Sequence, residues 1–203
     1  MTVYLNQVGL VCALGNDPAS VHRAMSAGDR GGLVITDHWH PGHPGPLGQV
    51  RGELPGIPAA LADYACRNNQ LLLAALAPLR DELARLARGV PRERIGVVLG
   101  TSTSGIDQGE QAMACWRREQ PAPADYHYRQ QLLGSGADFL ARHLDVRGPA
   151  LTLSTACSSS GRALASARAL LRNGLCDLVI AGGADSLCHL TVQGFRSLGA
   201  VSD

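Results

Sequence analysis

The chain has 203 residues, of which 45% are hydrophobic and 4% aromatic, and this fits one large α/β domain or two small ones with a substantial core. The formal net charge of +1 excludes a global field that would recruit nucleic acid or a membrane surface. An acidic partner would therefore have to meet a local basic patch.

The first half of the chain predicts a strand, a capped helix and a long interrupted helix. Residues 2–8 have the pattern of a strand, and Asn16-Asp17-Pro18 supplies a helix cap with proline at the first helical position. Many glycines and prolines between residues 28 and 58 indicate loops, with a short strand near 47–52. Leucines and alanines at helical spacing predict a helix over 61–87, which Pro78 should kink or split.

The second half alternates strands and helices, which predicts an α/β fold with a mostly parallel sheet and helices on both faces. An uninterrupted apolar run predicts a strand covered on both faces, and a tight polar loop follows it. The predicted strands are 95–100, 149–154 and 177–181, with the loop at 101–105. The predicted helices are 106–118, 129–144 and 157–173.

The six cysteines are scattered and none forms a CxxC pair, so we expect free thiols in a reducing compartment. The first residues lack a basic stretch followed by a long apolar one, so no signal peptide is expected. No apolar run approaches the roughly 18 residues of a membrane span. Together these features predict a cytoplasmic protein.

Residues 154–160, with the sequence STACSSS, are the most informative part of the chain. A strand pattern leads into them and a helical pattern rich in small residues leads out, which places Cys157 at the first turn of a helix. Unpaired backbone N–H groups and the positive end of the helix dipole favour a thiolate there. We therefore predict a cysteine nucleophile that transfers acyl groups through a thioester.

Five segments in order carry a wider resemblance: residues 8–15 (VGLVCALG), 94–105 (RIGVVLGTSTSG), 147–160 (RGPALTLSTACSSS), 176–185 (CDLVIAGGAD) and 195–202 (FRSLGAVS). Together they resemble the N-terminal half of the β-ketoacyl–acyl carrier protein synthases, which are condensing enzymes with a thiolase-like fold. The similarity spans essentially all 203 residues. The stretches 67–70 and 99–106 also resemble the subgroup that makes aryl polyene-type products.

The resemblance implies an α/β fold, namely the N-terminal half of a thiolase-like fold, with a mostly parallel mixed sheet flanked by helices. It assigns residues 1–203 to the β-ketoacyl synthase N-terminal domain, with the C-terminal half absent. It makes Cys157 the acyl-accepting nucleophile of a 3-oxoacyl-[acyl-carrier-protein] synthase in fatty acid or polyketide-type biosynthesis, with its own N–H in the oxyanion hole. In the family, two histidines of the C-terminal half stabilise the enolate formed from malonyl carrier protein. Because His189 does not match their motifs, we expect this chain to be incomplete for condensation.

The resemblance also assigns three further residues and the partners. Thr103 and Phe195 fall where the family lines its acyl pocket, and Arg67 lies near where it docks the acidic acyl carrier protein. Asp185 stands where many members have Glu. The strand 149–154 would pair antiparallel with its twin, giving a homodimer or a synthase heterodimer. No cofactor, metal, nucleic acid or membrane span is implied.

Several other interpretations stay open beside the elongating synthase. A thiolase, or a synthase that primes on acyl-CoA, would share the fold. A non-catalytic partner subunit resembling a chain-length factor would generally lose the nucleophile, whereas Cys157 is present. A papain-like peptidase would need a downstream histidine with an orienting partner, and His189 is the one histidine available.

The remaining cysteines and histidines are interpreted as structural rather than functional residues. We expect Cys12, Cys66, Cys115, Cys176 and Cys188 to be small buried hydrophobic residues. The histidines of residues 38–43 have no acidic or cysteine partner at a recognised spacing, so a solvated loop is favoured over a metal site.

Overall fold

A three-stranded parallel sheet forms the core of the computed structural model, which describes residues 2–201. In chain order the strands are β1 (Leu33–Thr36), β2 (Gly45–Gly48), β3 (Ile95–Gly100), β4 (Ala150–Leu153) and β5 (Leu178–Gly183). The α-helices are α1 (Pro18–Ser26), α2 (Arg67–Leu76), α3 (Arg80–Leu86), α4 (Ile106–Trp116), α5 (Ser135–His143), α6 (Ser159–Arg172) and α7 (His189–Ser197).

Strand β3 lies between β4 and β5 and runs parallel to both. All six of its residues are buried, as predicted for a strand covered on both faces. Val97 and Leu99 join a cluster with leucines of α2 and α5, whereas Val98 packs with Ala163 and Ala167 of α6. The sheet therefore has helices on both faces, which confirms the predicted α/β class.

The local signals in the first half were mostly sufficient to locate its helices. The side chain of Asp17 accepts a hydrogen bond from the Ser20 N–H at 2.9 Å, and α1 begins at Pro18 as predicted. Pro78 lies in a 3-10 turn that separates α2 from α3, so the predicted split is confirmed. The short strand predicted near 47–52 lies earlier, at β2, which pairs antiparallel with β1, and residues 49–52 are not part of a strand.

The predicted strand at residues 2–8 is wrong, since the structure shows no strand there. Within residues 2–201 no neighbouring strand forms a ladder with this segment. Residues 2–7 instead line a groove of about 350 Å³, and its opposite side is formed by β5 together with leucines of α2 and α3. Tyr4, Leu5 and Val8 nevertheless stay largely exposed, so this segment is not buried as a strand of the core would be.

Three boundaries in the second half also differ from the prediction. The helix expected over 129–144 begins only at Ser135, after a separate 3-10 turn at Tyr128–Gln131. The helix expected from 157 begins at Ser159, and β5 continues through Gly183. Helix α7 was not predicted. Ser202, at the end of the last motif, lies outside the described residues.

Within residues 2–201, no helix is both long and apolar enough to cross a bilayer.

Gly100, at the end of β3, allows a close approach of α6 to the sheet. A Cβ on Gly100 would lie 2.8 Å from the carbonyl carbon of Ser159, whereas a Cβ on Gly161 would meet nothing within 4 Å. Gly100→Ala should therefore lower the free energy of unfolding by about 1–3 kcal/mol through overpacking. Gly161→Ala should raise it by roughly 0.5–1 kcal/mol, because alanine favours a helix interior. Urea unfolding of both variants checks this, and equal effects would contradict it.

Arg94 joins the start of β3 to the start of β5. Its guanidinium donates two hydrogen bonds to the Asp177 carboxylate and a third, of 3.1 Å, to the Gly174 carbonyl oxygen. These hydrogen bonds and the charge of Arg94 hold the pKa of Asp177 below its usual value.

A lowered pKa in the folded state stabilises the protein above the unfolded-state pKa, and that stabilisation is lost as the pH falls through the folded-state pKa. Asp177→Asn should therefore lower the free energy of unfolding at pH 7, and this difference from the wild type should shrink below about pH 4. Urea unfolding across this pH range measures it, with Glu53→Gln, at an exposed loop position, as the control. A difference that does not vary with pH would contradict the ion-pair explanation.

Candidate active site

The carboxyl ends of β3, β4 and β5 lie at one edge of the sheet, because the three strands are parallel. The segments 101–105, 154–158 and 184–188 leave the sheet at this edge. In open α/β sheets, ligands bind in the crevice outside the carboxyl ends of the strands. Cys157 and Thr103 both lie on these segments, so the structure brings two predicted site residues to the same edge.

Cys157 lies in a 3-10 turn, Ala156–Ser158, directly before α6. Its side chain is exposed and can be reached by a substrate. Among residues 2–201, no acceptor binds the Cys157 N–H. The turn precedes a helix of 14 residues, whose dipole places partial positive charge at this end. A free N–H and a helix N-terminus beside a thiol can together stabilise negative charge on a reacting group.

Two serine hydroxyls hold the turn around Cys157 in place against backbone strain. Ala156 has a φ of 52°, a left-handed conformation that costs a residue with a side chain about 1–3 kcal/mol. The Ser158 hydroxyl donates to the Thr155 carbonyl oxygen at 2.8 Å. The Ser159 hydroxyl donates to the Ala156 carbonyl oxygen at 2.7 Å and accepts from the Thr155 N–H at 2.9 Å. These bonds fix the sharp bend that presents Cys157.

Asp185 connects the segment after β5 to the segment after β3. One oxygen, Oδ1, accepts from the Thr101 hydroxyl at 3.0 Å and from the Ser102 N–H at 2.7 Å. The same oxygen accepts from the N–H and from the hydroxyl of Thr103, both at 3.1 Å. Hydrogen bonds to a carboxylate are stronger than neutral ones, so this contact fixes the loop beside the Cys157 turn.

Thr103 is buried, and both hydrogen-bonding functions of its hydroxyl are used within the protein. The hydroxyl donates to Asp185 and accepts from the Ser186 N–H at 3.0 Å. Because both hydrogen bonds of the hydroxyl are made within the protein, any role of Thr103 beside an acyl pocket would depend on the small size of its side chain. That role stays a prediction.

Phe195 and Arg67 lie away from the three segments at the carboxyl edge. Phe195 is on α7 and is 49% exposed. Arg67 is the first residue of α2, is exposed, and donates from Nη2 to the Val50 carbonyl oxygen at 2.8 Å. Their predicted roles in an acyl pocket and in carrier docking stay predictions.

The histidine-rich segment 38–43 was expected to be a solvated loop, and this is wrong in part. The Trp39 and His189 ring centroids are 5.4 Å apart, so the segment packs against the start of α7. Partial burial, followed by the nearby His43 and Arg196, lowers the pKa of His40. Across residues 2–201, no three or more His, Cys, Asp or Glu side chains converge as metal ligands.

The other cysteines divide into two groups. Cys66, Cys176 and Cys188 are buried as predicted, and burial raises the pKa of the Cys66 and Cys176 thiols. Cys12 and Cys115 are only partly buried, so the prediction of burial is wrong for these two. Cys157 is the exposed cysteine of the described chain.

Sequence reasoning missed the structural roles of Ser158, Ser159 and Asp185. From the sequence alone, the serines count only as small residues beside Cys157, and Asp185 only as a departure from the family pattern. The sequence did contain a signal, namely the hydroxyl residues at 101–104 and 158–160 after two apolar strands. Hydroxyl groups buried in a tight loop need hydrogen-bond partners, so these runs indicate structural hydrogen bonds.

A protein-family model described as "Beta-ketoacyl synthase, N-terminal domain" matches residues 49–203. This chain belongs to the β-ketoacyl synthase family. Nodulation protein E of Rhizobium sp. (strain N33) is 26% identical over 191 residues, which is 91% of this chain and 46% of that protein. The 3-oxoacyl-[acyl-carrier-protein] synthase 1 of Haemophilus influenzae is 31% identical over 117 residues, covering 56% and 28% respectively.

Solved ketosynthase structures agree with this assignment. In the complex of the ketosynthase ApeO with its chain length factor ApeC from Xenorhabdus doucetiae, the matching chain is 42% identical, with a TM-score of 0.92. The match covers 98% of this chain and 51% of that one. A chain of the ishigamide ketosynthase/chain length factor matches with a TM-score of 0.80 at 18% identity, over 96% and 50% of the two chains, which shows the fold alone. The ketoacyl synthase chain described here thus spans about half the length of the curated relatives it matches most fully.

Replacing Thr103 tests whether its hydroxyl holds the loops at the carboxyl edge of the sheet together. Thr103→Val keeps the shape but leaves the Ser186 N–H without its acceptor, so the free energy of unfolding should fall by about 1–3 kcal/mol. Thr103→Ser keeps the hydroxyl and should lose less. Chemical denaturation of both variants measures the effect. Equal stability of Thr103→Val and the wild type would show that the hydroxyl contributes nothing.

Proposed function

We propose that this chain supplies the acyl-accepting nucleophile of a 3-oxoacyl-[acyl-carrier-protein] synthase, and that Cys157 is that nucleophile. The observation that supports this most is the placement of Cys157 on a strained turn at the carboxyl edge of the sheet, exposed and beside the N-terminus of α6. Family membership and the name of the Haemophilus influenzae relative support the reaction class.

In the first half-reaction, the Cys157 thiolate attacks the carbonyl carbon of an acyl thioester on the carrier protein. The new bond to Sγ forms, and the carbonyl oxygen takes the negative charge. The Cys157 N–H is free to donate to this oxyanion. The bond to the carrier thiol then breaks, and that sulfur leaves as a thiolate that takes up a proton. The product is an acyl-Cys157 thioester.

In the second half-reaction, malonyl carrier protein loses carbon dioxide, and the resulting carbanion equivalent attacks the acyl-Cys157 carbonyl carbon. The bond to Sγ breaks, which regenerates Cys157 and leaves a 3-oxoacyl group on the carrier. We propose that the two enolate-stabilising histidines implied by the resemblance come from residues outside this chain. His189 is instead engaged with Trp39, whose carbonyl oxygen lies 3.1 Å from its Nδ1 atom.

Two surfaces are proposed to bind partners. Exposed Arg67 begins α2, and we assign it to the docking surface for the acidic carrier protein. The outer edge of β4 pairs with no strand in the described part of the chain, and Leu151 on it is exposed. We assign this edge to antiparallel pairing with a second synthase chain, either identical or homologous.

A second candidate function is a non-catalytic partner subunit that resembles a chain-length factor. It is favoured by two of the matching solved structures, which are named as ketosynthases with chain length factors. The exposed Cys157 argues for the catalytic subunit, because a partner subunit has no use for a nucleophile on this turn.

Intact-mass measurement after incubation with an acyl-carrier thioester tests the proposal. Wild-type protein should gain the mass of one acyl group, Cys157→Ala should gain none, and Cys115→Ala, at a partly buried cysteine, should behave as the wild type. An adduct that persists in Cys157→Ala would reject Cys157 as the nucleophile. No adduct in any variant, together with tight binding to an active synthase, would favour the partner subunit.

A further inference from the structure

Helix α4 carries two carboxylates one helical turn apart, those of Asp107 and Glu110. The Glu110 carboxylate caps helix α7: its Oε2 atom accepts from the His189 N–H at 2.9 Å, and its Oε1 atom accepts from the Leu190 N–H at 2.7 Å. The residue before α7, Cys188, gives no side-chain cap. Glu110 therefore supplies the cap from another helix and places negative charge at the positive end of the α7 dipole.

Asp107 is partly buried beside this cap. Burial, followed by the negative charge of Glu110, raises the pKa of Asp107. A hydrogen bond from Gln111 and the nearby rings of His38 and His189, whose centroids are 6.1 Å apart, oppose this rise without cancelling it. In the folded protein, Asp107 therefore keeps a proton to a higher pH than an exposed aspartate does.

The two carboxylates lack a permanent cation to neutralise them. Within residues 2–201, neither Asp107 nor Glu110 forms an ion pair with an arginine. Arg196 of α7 lies about two turns further along that helix and donates to the His43 carbonyl oxygen instead. Like charges at this spacing on a helix repel each other, so a proton is the positive charge that can relieve the pair.

The hydrogen bonds of the two carboxylates indicate where that proton goes. Glu110 uses its charge on two N–H groups of α7 and on the helix dipole. In the described chain, Asp107 accepts from two neutral side-chain amides, that of Gln111 at 3.0 Å and that of Gln108 at 3.5 Å. The first proton is therefore expected on Asp107, which leaves the cap on α7 charged.

We propose that Asp107 is a proton-sensitive residue that controls the contact between α4 and α7. The contact tightens when Asp107 takes up a proton, because the repulsion with Glu110 is relieved, and it loosens when Asp107 loses that proton. This inference goes beyond the proposed function and does not depend on acylation of Cys157.

The sign of the pH dependence follows from the raised pKa of Asp107. A group whose pKa is raised in the folded state stabilises that state at low pH, and the stabilisation is lost as the pH rises through the folded-state pKa. Helix α7 should therefore be held more firmly at acidic pH than at neutral pH.

Hydrogen exchange by mass spectrometry between about pH 4.5 and 7.5, corrected for the pH dependence of chemical exchange, measures how firmly α7 is held. Peptides over 188–197 report on α7, and peptides over β3 serve as the reference. The variants are Asp107→Asn, which keeps the shape of the protonated side chain, and Glu110→Gln. Asp81→Asn is the matched control, because Asp81 is exposed and lies, like Asp107, in the first turn of a helix.

Relative to β3, the protection of α7 in the wild type should rise by about two- to fourfold as the pH falls across this range. Asp107→Asn should show the higher protection already at about pH 7.5 and lose the pH dependence. Glu110→Gln should lower the protection at about pH 7.5 and also reduce the rise, because Asp107 then has no charged neighbour. Asp81→Asn should match the wild type.

Protection of α7 that does not change with pH in the wild type would overturn the proposal. A rise of equal size in Asp107→Asn would also overturn it, because the histidines would then be its source. If α7 exchanges too fast to measure, the NMR titration of the Asp107 carboxyl carbon decides. Its midpoint should lie above the ordinary value of 3.8 and move toward that value in Glu110→Gln, and a midpoint at 3.8 in the wild type would reject the proposal.

Discussion

Parallel pairing of β3 on both of its edges is the constraint from which the candidate site follows. The strand is buried along its whole length, so its backbone groups need partners in β4 and β5. Two parallel neighbours bring three chain segments out at the same edge, and α6 and α5 cover the opposite faces. Close contact between Gly100 and Ser159 then fixes the start of α6, and with it the turn that presents Cys157.

The segments at this edge are held by polar side chains, because tight turns leave backbone groups without ladder partners. Asp185 binds the loop after β3, and Ser158 and Ser159 bind their own turn. The site therefore has a rigid frame before any substrate arrives. Such a frame suits the chemistry proposed for Cys157, since an oxyanion is stabilised by donors that are already in position.

Patterns that depend on local chemistry could be predicted from the sequence, and they included β3, the Asp17 cap, the break at Pro78 and the strand–turn–helix order around Cys157, although α6 begins two residues later than predicted. Features that depend on distant partners could not. The pattern at residues 2–8 fits a strand, but the structure provides no ladder for it. Helix α7 has no side-chain cap from its own preceding residue, and its cap comes from Glu110, 79 positions away. The fourfold contact of Asp185 joins residues 82–84 positions apart, which no local spacing reveals.

Helix α7 is held by polar contacts, since Glu110 accepts from the N–H groups of His189 and Leu190 and the His43 carbonyl oxygen accepts from Arg196. The stability of this helix should therefore respond to dissolved salt differently from that of the sheet. The bonds from Glu110 and Arg196 carry formal charge and lie at partly exposed sites, so dissolved ions weaken them, whereas apolar packing around β3 is nearly insensitive to ionic strength. Helix α7 should accordingly open at lower free energy than the core strand β3, and more readily as salt increases. Ionic strength would then act on α7 while the sheet and the Cys157 turn stay in place.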